Sequence, residues 1–301
     1  MKKTFIYLAM AAFAVVGFTA CGSDDEDYVA PKYDVQLPLP QNAKDAVAFD
    51  NIKNMTSKGK TLAGITFTET GNAILEVAGD YISAAYTYAD GIYTLTGAAN
   101  GTIKDNATKG TSTQSTNITL SITVTIDGIT YTFNGDAAAD KETATELVSN
   151  TDLNNICRLW TVKGMSLSLS GDVSMMKVYD SGDLSKLGKD ANENGANLDA
   201  DELAELNKTI QSIEFTKTGK FFLNYKEGGE DVTQCATWES KDFHSYVIDK
   251  ISEANKFITN GSSIQVVFNA VGGCTITFST KITGSKNYDA QLIVNLTPQE
   301  D

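Results

Sequence analysis

From Lys60 onward the chain is written in short alternating segments closed by turn residues, and that grammar leaves few folds open. Thr61-Leu62-Ala63-Gly64-Ile65-Thr66-Phe67-Thr68 sets Ile65 and Phe67 on one face of an extended strand. Thr70-Gly71-Asn72, Gly79-Asp80, Asp90-Gly91, Asn100-Gly101 and Asp127-Gly128 follow, with β-branched or aromatic runs between them. Such dipeptides tolerate the positive φ angles of tight turns, and turns this short join antiparallel neighbours. The expected fold class is therefore mainly β: two tandem antiparallel β-barrel or sandwich domains, the second with inserted α-helices.

A chain of 301 residues is long for one core and comfortable for two. Residues 1–20 read as a signal segment, 21–45 as an acidic, proline-bearing tether, 46–140 as the first β domain and 141–301 as the second, with the boundary in the polar stretch 137–143. The second half repeats part of the first. Ile65-Thr-Phe67-Thr68-Glu-Thr70-Gly71 aligns with Ile213-Glu-Phe215-Thr216-Lys-Thr218-Gly219, 148 residues on, and Gly128–Phe133 aligns with Gly273–Phe278, 145 residues on. Two helices are expected in the second half. One runs near 200–211, opened by Asp199 and Glu202 with Leu203, Leu206 and Ile210 inward, and one near 242–257 along Phe243, Val247, Ile251 and Ala254.

Composition narrows the chemistry. A formal net charge of −14 disfavours nucleic acid and anionic membrane as partners. His244 is the only histidine, so a zinc centre of several imidazoles is excluded and a Ser-His-Asp arrangement would have to be built on that residue. Phosphate loops and dinucleotide fingerprints are absent, no carboxylate pair stands out, and the expectation is a protein without catalytic residues or cofactor. Cys157, Cys235 and Cys274 are odd in number and outside any C-x-x-C spacing, so they form at most one bridge or pack as small apolar groups.

Two constellations stand out as ligand candidates. Tyr86 and Tyr88 alternate on one strand and Tyr93 faces them across the Asp90-Gly91 turn, which makes either an aromatic platform for a sugar or flat molecule or simple cross-strand packing. Asp190, Asn192 and Asn194, then Gly195, then Asp201 and Glu202 offer oxygen ligands at spacings suited to Ca2+. This segment resembles an EF-hand loop with one extra residue after the glycine. The competing reading is a solvated loop whose acids cap the following helix.

The amino terminus carries Lys2-Lys3, an apolar run from Phe5 to Phe18 and Thr19-Ala20-Cys21, then Gly22-Ser23-Asp24-Asp25-Glu26-Asp27. It resembles the signal and lipobox of bacterial lipoproteins, and the acidic run resembles the surface-export signal of Bacteroidota lipoproteins. That resemblance implies cleavage before Cys21, lipidation of Cys21 and an outer-membrane, lipid-anchored protein facing the cell exterior. Cys157-Arg158-Leu159-Trp160-Thr161-Val162, the Ile213–Gly219 hairpin and Trp238 further resemble lipocalin-like domains of such lipoproteins. The implied fold is a β-barrel with Trp160 plugging its floor and an interior able to hold a small ligand. The expected function is thus non-enzymatic binding of a small molecule or glycan at the cell surface. The alternative is a structural or assembly protein, fimbrillin-like or an accessory of an outer-membrane complex, working through strand edges.

Overall fold

The computed structural model describes residues 46–106, 114–144, 156–196, 198–242, 245–249, 262–268, 273–282 and 287–298. Cys21, the signal segment, the tether and His244 lie outside them. The first half forms β1 (Ala46–Asp50), β2 (Thr56–Ser57), β3 (Lys60–Phe67), β4 (Asn72–Val77), β5 (Asp80–Ala89), β6 (Ile92–Gly97), β7 (Ala99–Asp105), β8 (Gln114–Ile126) and β9 (Ile129–Ala144). From β3 to β9 each strand pairs antiparallel with the next. β1 lies between β9 and β3, meeting the latter through Val47–Phe67, Ala48–Thr66 and Phe49–Ile65, so eight strands close a barrel. Closure turns one face of every strand inward, and those residues are the apolar ones of the alternation: Phe49, Phe67, Leu75, Tyr86, Tyr93 and Phe133 all belong to one buried cluster.

The second half runs β10 (Leu159–Gly171), β11 (Met175–Tyr179), helix α1 (Leu184–Ala191), helix α2 (Ala200–Glu205), β12 (Lys208–Phe215), β13 (Lys220–Glu227), β14 (Glu230–Asp242), β15 (Ser245–Asp249), β16 (Ser262–Phe268), β17 (Cys274–Ile282) and β18 (Tyr288–Pro298). This sheet curls along the same circuit. β10 takes the place of β1, pairing with β18 along its length and with β12 through Leu159–Glu214, Trp160–Ile213 and Thr161–Ser212. Trp160 is fully buried, its indole nitrogen donating to the Ile156 carbonyl at 2.9 Å.

The 148-residue match is a repeat of structure. β3–β4 and β12–β13 carry a bulge at equivalent points, Leu62/Gly64 and Ile210/Ser212. In the first hairpin Thr68 N donates to Asn72 O at 2.8 Å, and in the second Thr216 N donates to Lys220 O at 3.0 Å. An aromatic on the next strand then fixes each turn: the Tyr86 hydroxyl donates to Thr68 O at 2.7 Å, and Trp238 Nε1 donates to Thr216 O at 3.0 Å. The 145-residue match is not such a repeat. It sets β9 against β17, whereas the order of the two sheets makes β8 the counterpart of β17 and β9 that of β18. Alternating Thr and aromatic residues after a turn glycine recur in any hairpin, so that likeness carried no register.

Several expectations are corrected. β9 continues to Ala144, pairing Ala46 with Ala144, so the stretch 137–143 is barrel wall and not a boundary. Of the helix expected near 200–211, only α2 forms, because Lys208 onward joins the sheet as β12. In place of the helix expected near 242–257 the chain makes β15, with Ile248 opposite Trp238; residues 250–257 lie outside the described ones. The helix that does pack well is α1, opened by Asp183 accepting from Ser185 N at 3.0 Å and burying Leu184, Leu187 and Ala191 against the second core.

Candidate functional site

The three tyrosines do come together. Tyr88 and Tyr93 are cross-strand partners with ring centroids 4.5 Å apart, and Tyr86 lies 5.9 Å from Tyr93. Their shared face is the barrel interior and not an outer platform, because closure rolls that face inward. Tyr86 and Tyr93 are 5% and 6% exposed, while Tyr88 is 48% exposed. Tyr93 stacks on Phe67 at 3.8 Å, and Phe67 meets Phe49 and Tyr86 edge-on at 6.1 and 4.9 Å. The result is an aromatic column rising from the core to the barrel mouth, with Tyr88 as its solvent-facing end.

Of the calcium candidates, Asp190, Asn192 and Asn194 each make local hydrogen bonds, while the side chain of Glu202 lies outside the described residues. Asp190 sits in α1 and its Oδ2 accepts the Tyr179 hydroxyl at 3.1 Å; burial, and then that hydrogen bond, push the Tyr179 phenol well up. Asn192 clasps the backbone of Leu198, accepting from its N at 2.7 Å, and Asn194 donates to the Asp190 carbonyl at 2.8 Å. Asp199 caps α2 by accepting from Asp201 N at 3.1 Å. The helical path of α1 continues through Asn192–Ala196, broken at Gly195 with φ 90°. Among the described residues no group of three or more His, Cys, Asp or Glu is placed to hold a metal.

Cys157, Cys235 and Cys274 are free thiols. Burial pushes all three up, Cys235 to about 12, which keeps them protonated and unreactive near neutrality.

A third place escaped the sequence reading: the seam where the two sheets meet. The tips of the equivalent hairpins face each other. Lys217 N donates to Glu69 Oε1 at 2.8 Å across 148 residues, and Thr70 Oγ1 donates to Glu214 Oε1 at 2.5 Å. Lys220 pairs with Asp50 at 3.1 Å beside them. Glu69 and Glu214 are only 4% and 2% exposed. Burial raises Glu69 to about 7, against the opposing pull of its hydrogen bonds from backbone N–H groups, and burial also raises Glu214. Neither carboxylate carries a local sequence signal, since each owes its surroundings to a hairpin in the other half.

No family model and no curated protein matches the chain. Among solved structures, a protein of unknown function from the DUF3598 family of Nostoc punctiforme is 10% identical, with a TM-score of 0.21, and the match covers 85% of this chain and 94% of that one. CghA with Sch210972 is 7% identical at a TM-score of 0.22, covering 85% of this chain and 89% of that one.

Proposed function

We propose that this is a non-enzymatic lipoprotein, held at the outer membrane through Cys21 and facing the exterior, whose first barrel binds a glycan or small apolar ligand at its mouth. The observation that carries the reading is Tyr88. It is half exposed, yet its ring lies 4.5 Å from buried Tyr93, which is itself stacked on Phe67. An aromatic face held in place from below loses little entropy when a sugar or flat ring stacks on it, which favours binding over a freely rotating side chain. Titration of the protein with a panel of glycans and lipids, by calorimetry and by thermal shift, tests it. At least one compound should bind wild type and lose tenfold or more in affinity in Tyr88→Ala. A panel that leaves both proteins unshifted would remove the support for binding.

A second reading, assembly through strand edges, is favoured by β11. Among the described strands it ends the hydrogen-bonded order of its sheet, pairing with β10 alone, and it leaves Met176 and Val178 77% and 74% exposed. The terminal strand β18 does not serve, because β10 and β17 occupy both its sides. Met176→Lys with Val178→Lys would block co-assembly under this reading and leave glycan binding untouched.

A further inference from the structure

We propose that the seam between the two sheets is a proton-operated latch, in which Glu69 and Glu214 hold the equivalent hairpins together in mild acid and release them as the pH rises. The geometry comes first. Glu69 and Lys217 occupy the same position of the repeat, and the carboxyl of one accepts from the backbone nitrogen of the other. Beside that contact Thr70 at one tip binds Glu214 in the strand entering the other. The first contact sets like against like, whereas Thr70 and Glu214 are not equivalent positions of the repeat. Together the two contacts bring two acids into one dry seam.

The groups facing these acids are mostly uncharged. Glu214 accepts from Thr70, Thr68 and Asn72, while Tyr86 of β5 reaches the same turn through the Thr68 carbonyl. Glu69 faces Glu214, the Lys217 backbone and charge, and the buried thiol of Cys157. Arg158, just before β10, is lowered chiefly by burial, with the Cys157 and Cys274 thiols near it. The second cluster of the seam holds Asp50, Lys220, Glu76, Glu142, Cys235 and Tyr81. There Lys220 pairs with Asp50 at 3.1 Å and is raised in spite of burial, so it stays a cation throughout the range at issue. Glu76 is raised by burial and adds to the same trend.

The sign follows from the direction of the shifts. With the hairpins apart, both glutamates meet water and ionise near the ordinary value of 4.5; docked, Glu69 holds its proton to about 7. Docking therefore takes up protons. It is fully favoured below about 4.5, weakens as the pH climbs toward 7, and has lost the whole contribution above that. For Glu69 alone, values of 4.5 and about 7 make the docked state roughly 70-fold less favoured at pH 8 than at pH 5, and Glu214 moves it the same way.

Hydrogen exchange on the full chain between pH 5 and pH 8, corrected for intrinsic exchange chemistry, tests the latch. The Lys217 amide is the reporter, because its acceptor is a side chain of the other half; amides paired between β8 and β9 are the internal reference. Exchange at Lys217 should accelerate by some 70-fold or more relative to the reference across that range, and the acceleration should largely vanish in Glu69→Gln with Glu214→Gln. Constant relative protection in wild type would overturn the latch, as would an undiminished pH slope in the glutamine variant. Should that variant fail to fold, the wild-type profile decides alone.

Discussion

Replacing Tyr86 by Phe removes one oxygen and leaves the ring in place, so it isolates the hydrogen bond that pins the β3–β4 turn. The hydroxyl donates to the Thr68 carbonyl at 2.7 Å in a buried setting. A buried acceptor stripped of its partner costs about 1–3 kcal/mol. Here Gly71 N still reaches the same oxygen, at 3.3 Å, so the lower part of that range applies, about 1–1.5 kcal/mol. For a unit of roughly 100 residues that loss lowers the melting temperature by roughly 4–12 °C. Two probes locate the effect. The chain has two tryptophans, Trp160 and Trp238, and both belong to the second sheet, so fluorescence follows that half while far-UV circular dichroism follows both. Tyr86→Phe should move the circular-dichroism transition and shift the fluorescence transition less. A loss under about 0.3 kcal/mol would show that the hydroxyl does not hold the turn. A shift equal in both probes would show that the two halves unfold as one.

Other outcomes follow from single features. Gly101 sits at φ 126°, and a Cβ added there would run into the Ser121 carbonyl oxygen, so Gly101→Ala should destabilise the first sheet by about 3 kcal/mol or more in urea titration, the β7–β8 pair being forced apart. Phe67→Ala, at the centre of the aromatic column, should lose about 3–5 kcal/mol, whereas Tyr88→Ala should change stability by less than about 0.5 kcal/mol while removing ligand affinity. Because Asp190, Asn192 and Asn194 are engaged within the helical segment, millimolar calcium should leave the melting temperature of wild type and Asp190→Ala alike unchanged; a shift confined to wild type would restore the ion site. Cys21→Ser should move the protein from membrane to soluble fractions without altering its circular-dichroism spectrum.

Strand and turn grammar made the class of fold legible, since residues such as Ile65 and Phe67 advertise their common face two positions apart. The misread helix near 200–211 has a specific cause. The bulge at Ile210/Ser212 shifts the alternation by one, so Leu206, Ile210 and Ile213 fall three and four apart and imitate a helical stripe. The tyrosine cluster was readable as a cluster, but which side of the sheet it occupied depended on ring closure between β1 and β3, a contact no local window contains. The same limit hid Glu69 and Glu214: their burial is created by residues about 145 positions away, and in sequence they are ordinary acids on ordinary hairpins.

One asymmetry between the halves bears on how such a chain could be rebuilt. Between β1 and β3 the connection holds little more than β2, whereas the matching connection from β10 to β12 holds β11, α1 and α2, yet the strand circuits around them keep the same order. Loop closure grows only slowly with length, so this crossing tolerates lengthening far better than a hairpin tip does. Within it Ile52 and Met55 are buried and tied to Ala63 and Leu62, so the graft port is the exposed Lys53-Asn54 pair between them. A folded tag or a binding peptide spliced there should be carried by the barrel without disturbing its stave order, on a side of the molecule the second half already uses for its own inserted elements.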